Sequence, residues 1–242
     1  MEKRRLHWLS TVQDRASRMI QPALDPRATK SAMTSAVKQL HDLTSENMAI
    51  IERNAEARRK HGVHLPQIAC RKGCDFCCFL RVRVSIPELL NIADYVAANF
   101  AGEEIDALKG RIQDHLDGLR GLDATQRLNK MLPCPLLVDH VCTVHAVRPI
   151  PCRAHHSVDV EACKQAMIHP DKVRVPHFLE VDTVVAPISQ GIESAIQKRG
   201  LKGSGVLLAA GLKIALDEPE ARNKWLDGDD LLLPFDVTGA LP

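Results

Sequence analysis

Apolar residues recur at helical spacing over most of the chain. From Thr29 to Lys60, Met33, Val37, Leu40, Leu43, Ile50 and Ile51 fall near a helical period and predict one long helix. Its end collects Arg53, Arg58, Arg59 and Lys60, which suits the negative pole of a helix, and Gly62 is a plausible stop. That basic run reads as a solvated terminus before it reads as a site for an acidic partner. Residues 1–28 are mixed, and Gln21-Pro22 and Asp25-Pro26 are expected to interrupt any helix there.

Farther on, Arg81-Val-Arg83-Val-Ser85 alternates briefly. Ser85 then opens a helix, with Glu88 three residues later forming a capping box. Ile86, Leu89, Leu90, Ala93, Val96, Ala97 and Phe100 make its apolar stripe. Ile105, Leu108, Ile112, Leu116 and Leu119 predict another helix over Glu103–Leu122, and Asp159–His169 reads as a short one. Beyond Leu179, stripes around Val185, Ile188, Ile192 and Ile196, then Val206–Leu216, predict two more, and Pro219 begins a last helix through Trp225. Residues 131–157, with Pro133, Pro135, Pro149 and Pro151, look irregular. No repeat, low-complexity segment or strand series is apparent. The expected class is all-α: a helical domain with an irregular Cys/Pro-rich metal-binding loop region. The expected division is 1–62 as an N-terminal helical extension, 63–170 as a cysteine-cluster metal-binding domain, and 171–242 as C-terminal helices packing on that domain.

Composition changes this picture in few places. Aromatics are only 3% of 242 residues, so the core must rest on Leu, Ile, Val and Ala. A net charge of +2 gives no global attraction to nucleic acid or membrane, and the scarcity of aromatics argues against RNA recognition by base stacking. A protein partner stays open. The basic start Met-Glu-Lys-Arg-Arg is followed by no apolar core of a leader, and no stretch is long and apolar enough to span a bilayer, so the cytosol is the expected compartment.

The chemistry lies in the cysteines. Cys70, Cys74, Cys77 and Cys78 fall within nine residues, and Cys134, Cys142, Cys152 and Cys163 follow after a long cysteine-free interval. The early four follow i, i+4, i+7, i+8 spacing, which would share one helix face, although Gly73 also allows a turn closed by a knuckle. Short spacings let several thiolates converge on one centre, as in zinc and iron–sulfur sites. Adjacent cysteines rarely both serve one tetrahedral ion, so Cys77 and Cys78 are expected to serve two metals or two irons. Three readings compete: disulfides, for which eight cysteines allow 105 connectivities, buried thiols acting as small hydrophobes, and a redox Cys74-x-x-Cys77 pair. A reducing compartment and two clusters favour metal. A proline-stiffened loop gains little from periodic burial, and ligation would supply its order.

Two segments together resemble a known family. Cys70-Arg-Lys-Gly-Cys74-Asp-Phe-Cys77-Cys78, followed by the run from Cys134-Pro135 through Cys142 to Arg148-Pro149 and Cys152-Arg153, is similar to the CxxCxxCC, or YkgJ-like, cysteine-cluster proteins. That family is described as zinc- or iron-chelating and takes in flagellin N-methylases. The resemblance covers roughly residues 70–165. It implies ligand roles for Cys70, Cys74, Cys77, Cys78, Cys134, Cys142 and Cys152, with Cys163 outside the tightest pattern. Three departures stand out: a first gap of three residues, Asp75 where glycine is common, and His145 where an aromatic is expected. The last opens a mixed-ligand reading.

Zinc, iron or an iron–sulfur cluster would each suit such thiolates, and spacing does not choose among them. Arg71, Lys72, Arg81, Arg148 and Arg153 could offset thiolate charge, with Arg148 and Arg153 the better placed to donate hydrogen bonds to sulfur. His140, His145, His155 and His156 are candidate nitrogen ligands, each more often a polar loop residue. The expected function is metal chelation. The rival is an S-adenosylmethionine-dependent lysine methylase, against which no Gly-x-Gly loop follows a strand. Gly200-Leu-Lys-Gly203-Ser-Gly205 reads as a connection between helices. Cys163 would be the only candidate thiol nucleophile. A third reading is a binding module whose surface is shaped by metal.

Overall fold

The stripe that begins at Met33 becomes α2 (Lys30–Lys60), the longest element of the computed structural model, which describes residues 2–203 and 205–232. Thr29 caps its start by accepting from the Ala32 N–H at 3.2 Å. Gly62, at φ 82°, ends it, with Gly62 N–H donating to the Arg59 carbonyl and Val63 N–H to that of Arg58. The basic last turn is put to local use: Arg58 pairs with Glu180 at 3.5 Å and Arg59 Nη1 donates to the Pro66 carbonyl at 3.0 Å.

The other helices are α1 (Glu2–Ile20), α3 (Ile86–Asn99), α4 (Gly102–Asp117), α5 (Ala124–Asn129), α6 (Ile150–Ala154), α7 (Val160–Ile168), α8 (Leu179–Lys198), α9 (Leu208–Asp217) and α10 (Ala221–Leu226). Among the described residues helix makes up 63% and strand 5%, so the class is all-α. Two departures from expectation sit at the ends of the chain's apolar stripes. Residues 2–20, read as mixed, form the continuous helix α1, which stops at the break expected from Gln21-Pro22, and Gln21–Leu24 tightens into a 3₁₀ turn. Val206 and Leu207, expected to begin a helix, instead belong to β4 (Gly205–Leu207), antiparallel to β1 (Arg83–Ser85) with Val84 opposite Val206.

α1 lies along α8 at close range. A Cβ at Gly191 would meet the Gln13 carbonyl at 2.3 Å and Ala16 Cβ at 2.8 Å, so only glycine permits this approach. One core cluster joins Val12, Ala16 and Ile20 of α1 to residues of α2, α3, α4, α8, α9 and α10. Trp225 and Phe178 are its and the satellite cluster's buried aromatics, and Trp225 Nε1 donates to the Lys202 carbonyl at 2.8 Å. A smaller cluster of Ala55, Ala154, Phe178 and Val181 lies beneath the cysteine-bearing loops.

Candidate metal centre

Four short elements carry five of the cysteines, and Cys70, Cys74 and Cys134 lie on the loops that lead into them. The early four do not share a helix face: Gly73 takes φ 86°, Cys74 N–H closes a turn onto the Arg71 carbonyl, and Phe76–Phe79 forms a 3₁₀ turn. The knuckle is the geometry realised, because a left-handed residue inside the run breaks the helical ladder. Residues 131–157 are less irregular than expected. β2 (Leu137–Val138) pairs with β3 (Val141–Cys142) in a hairpin whose tip residues, Asp139 and His140, take φ 48° and 63°. Positive φ at both tip positions is what a two-residue hairpin turn requires. α6, entered through Pro149 and Pro151, carries Cys152, and α7, capped by Asp159, carries Cys163.

Two backbone bonds bring the distant segments together. Ala69 N–H donates to the Ser157 carbonyl at 2.8 Å, and Cys134 N–H to the Cys78 carbonyl at 2.7 Å. The first places the Ser157 N–H 3.3 Å from Cys70 Sγ, a donor already aimed at sulfur. All eight cysteines are free.

The sulfurs fall into two neighbouring groups. Cys70, Cys74, Cys77 and Cys163 line a cavity of about 40 Å³ with His155, His156, Met131 and Met167 among its other walls. That is room for an ion rather than for a small organic molecule, whose sites run to roughly 300 Å³ or more. Although Cys70 is exposed at the surface, partial desolvation raises its thiol above the ordinary range, opposed by the Ser157 N–H and assisted by the charges of Cys74, Cys77 and Cys163. The second group is Cys134, Cys142 and Cys152. Burial pushes Cys134 up to about 11, with Cys142 and Cys77 adding to it. Burial also raises Cys152, followed by the charges of Cys134, Cys77, Cys142 and the carboxylate of Glu88. Cys77 is felt by both groups, and a hydrogen bond with Cys78, ahead of burial, raises its own thiol. Cys77 thus stands between the two groups.

Among the described residues, no group of three or more His, Cys, Asp or Glu side chains forms a ready-made coordination shell. Protonated thiols have no attraction that would draw four sulfurs to about 2.3 Å from a common point. The donor chemistry nonetheless fits a cationic metal. Arg148 Nε is buried without a hydrogen-bond partner, and the Arg148 charge favours the thiolate at both Cys77 and Cys142, against the burial that disfavours it. A guanidinium edge so placed can donate to thiolate sulfur. Arg153 is engaged otherwise: its Nε donates to the Arg148 carbonyl at 2.8 Å and its Nη2 to that of Ala146 at 2.6 Å, fixing the loop backbone.

The histidines divide. His156 is buried, its Nε2 accepts the Phe178 N–H at 2.8 Å and its Nδ1 faces the Ala154 carbonyl at 2.8 Å, so both ring nitrogens are committed to the backbone. His140 Nδ1 meets Asp75 Oδ2 at 2.7 Å, joining the hairpin tip to the early cluster. His145 is exposed, and its imidazole is held below its ordinary range by partial burial and by Arg148 and Arg153. His155 stacks edge-on against His177, with ring centres 5.4 Å apart, at the wall of the cavity.

Three contacts escaped the sequence reading: Ser157 N–H to Cys70, Asp75 to His140, and the second carboxylate oxygen of Glu88 to the Ile150 N–H. Glu88 is the capping-box residue expected, its Oε2 accepting from Ser85 Oγ at 2.8 Å. Its other oxygen accepts the Ile150 N–H at 2.6 Å and stands 3.6 Å from His41 Nε2, which has no hydrogen-bond partner. A buried carboxylate thereby ties α3 to α6 and to α2. A further cleft of about 500 Å³ between α2 and residues 66–68 is walled by Ile51, Glu52, Glu56, Arg59, Ile68 and Phe178.

No family model, no curated protein and no solved structure matches this chain. No helix among the described residues is long and apolar enough to cross a membrane.

Proposed function

We propose that this chain is a metal-chelating protein that holds zinc or iron, the latter alone or in an iron–sulfur cluster, through two adjacent sets of cysteine thiolates. One set draws on Cys70, Cys74 and Cys163, the other on Cys134, Cys142 and Cys152, and Cys77 and Cys78 supply one ligand to each. The observation that carries this reading is that Cys70, Cys74, Cys77 and Cys163, from separate segments, line one small cavity, while the buried, unpartnered guanidinium edge of Arg148 acts on Cys77 and Cys142. Four thiolates on one divalent ion leave about two net negative charges, which such a cation offsets. The resemblance to YkgJ-like cysteine-cluster proteins supports the same assignment. Bound metal would supply the cross-links that apolar burial does not provide in these loops.

The test is anaerobic purification with elemental analysis and visible absorption. A colourless protein with two zinc ions per chain, or a brown one with iron and sulfide, is the expected outcome. Cys74→Ser and Cys152→Ser should each lower bound metal by about one centre per chain, from opposite sets. Unchanged stoichiometry in both variants rejects the ligand assignment.

A further inference from the structure

The two cysteine sets differ in what holds their ligands. Around the inner set, Leu136, Val144 and Ile150 are buried in the main core, and Cys134 and Cys142 pack against it. Moving those sulfurs means opening that core. The outer set depends on α7, and this helix buries a single residue, Ala166, while Ile168 is 65% exposed. α7 packs on the 3₁₀ turn Phe76–Phe79, which itself buries nothing. Its start is held by Asp159 Oδ1, accepting from Glu161 N–H at 2.8 Å and Ala162 N–H at 3.1 Å. Cys70, on the opposite wall, is exposed. Segments with few buried apolar contacts open locally at far lower free energy than the core.

Resting on the two-centre reading above, we propose that the outer set is a metal-exchange site, gated by α7, which passes a thiophilic ion to and from the thiols of another molecule. When α7 swings away, Cys163 leaves the ion and Cys70, Cys74 and one sulfur of the 77–78 pair retain it. An incoming thiol gives up its proton as its sulfur bonds the ion. Cys163 takes up a proton as its own bond breaks, so protons and charge balance and no electron moves. The small cavity admits the ion, and the exposed Cys70 edge admits the incoming sulfur. Repeating the exchange at Cys70, Cys74 and the sulfur of the 77–78 pair completes the transfer.

Full-length protein reconstituted with Zn²⁺ is mixed with a large excess of a chromogenic chelator or a small dithiol, and zinc release is followed by absorbance. Two phases are expected, one ion each. Asp159→Ala leaves every proposed ligand in place and removes only the helix cap. It should speed the fast phase about fivefold, the ratio corresponding to a typical cap, and leave the slow phase unchanged. Asp159→Asn, which still caps, should restore the original rate. Cys163→Ser should bind one ion firmly and lose the fast phase. Two ions leaving at one common rate, or a fast phase indifferent to Asp159→Ala, would overturn the gate while leaving the two-centre reading intact. A chain that binds no zinc, iron or cluster would overturn both.

Discussion

The helical bundle and the cysteine-bearing loops are held by different physics. In α3, every residue from Ile86 to Ala93 is buried, and the facing stripes of α2, α8 and α9 complete one core. From His61 to Arg83, by contrast, no residue is buried, although this stretch carries half of the cysteines. Hydrophobic burial stabilises in proportion to the apolar area removed from water, so it orders the first region and has little purchase on the second. What fixes the second is a handful of directional bonds: Ala69 to Ser157, Cys134 to Cys78, His140 to Asp75. Each contributes about 1 kcal/mol net, too little to order some twenty residues against their backbone entropy. Under the function proposed above, cross-linking by metal would supply the missing term.

The sharpest way to break this contrast is to remove the metal. Structural zinc contributes apparent binding energies of roughly 10–16 kcal/mol, most of which would be realised as order in the loops. After stripping with a strong chelator, far-ultraviolet circular dichroism should keep most of its helical signal. Limited proteolysis should meanwhile begin to cut within residues 63–80 and 130–160. Equal protection of both regions before and after chelation would show that the loops stand without metal.

Glu88 is where the two regions are joined, and it offers the second test. Its carboxylate closes the α3 capping box and receives the Ile150 N–H two residues before Cys152. Glu88→Ala leaves that buried donor unsatisfied and should cost about 1–3 kcal/mol, read as a shift in denaturant midpoint. Glu88→Gln retains an acceptor and should cost less. If the join matters to the inner cysteines, Glu88→Ala also weakens metal retention there and spares the outer set. A stability loss with no change in metal retention would separate the two regions again.

The bundle was legible in the sequence where its packing is carried by large apolar residues. The α2 stripe, the Ser85–Glu88 capping box and the Asp159 start of α7 all appear where the spacing places them. α1 was not legible, because its contact face is made partly of Ala16 and Ser17, small residues chosen by the close approach to Gly191 rather than by hydrophobicity. β1 lies within the briefly alternating Arg81–Ser85, but its partner β4 is three residues long and far away in the chain, so no local pattern announces β4 or the pairing. At the cysteines, spacing gave two sequence clusters, whereas the fold sets Cys163 beside Cys70 and Cys74 and leaves Cys77 between the groups. That regrouping depends on the Ala69–Ser157 bond, which only the folded chain reveals.

The smallest effect is that of pH on the metal-free protein, and its sign follows from the direction of the thiol shifts. Burial raises Cys134 to about 11 and raises Cys142 in the same direction. An unfolded thiol titrates near 8.5, so above that value the unfolded chain loses protons that the folded chain retains. The folded thiols therefore contribute stability that is fully present below about pH 8.5 and drains away as the pH rises toward 11. Metal-free protein should show a falling denaturant midpoint across this window. Metal-loaded protein, whose ligands are already deprotonated, should not follow it, and its metal should instead be lost as acid returns protons to sulfur. A loaded and a stripped protein with the same alkaline profile would mean that these thiols carry no metal, and the two regions would then differ only in how well they are packed.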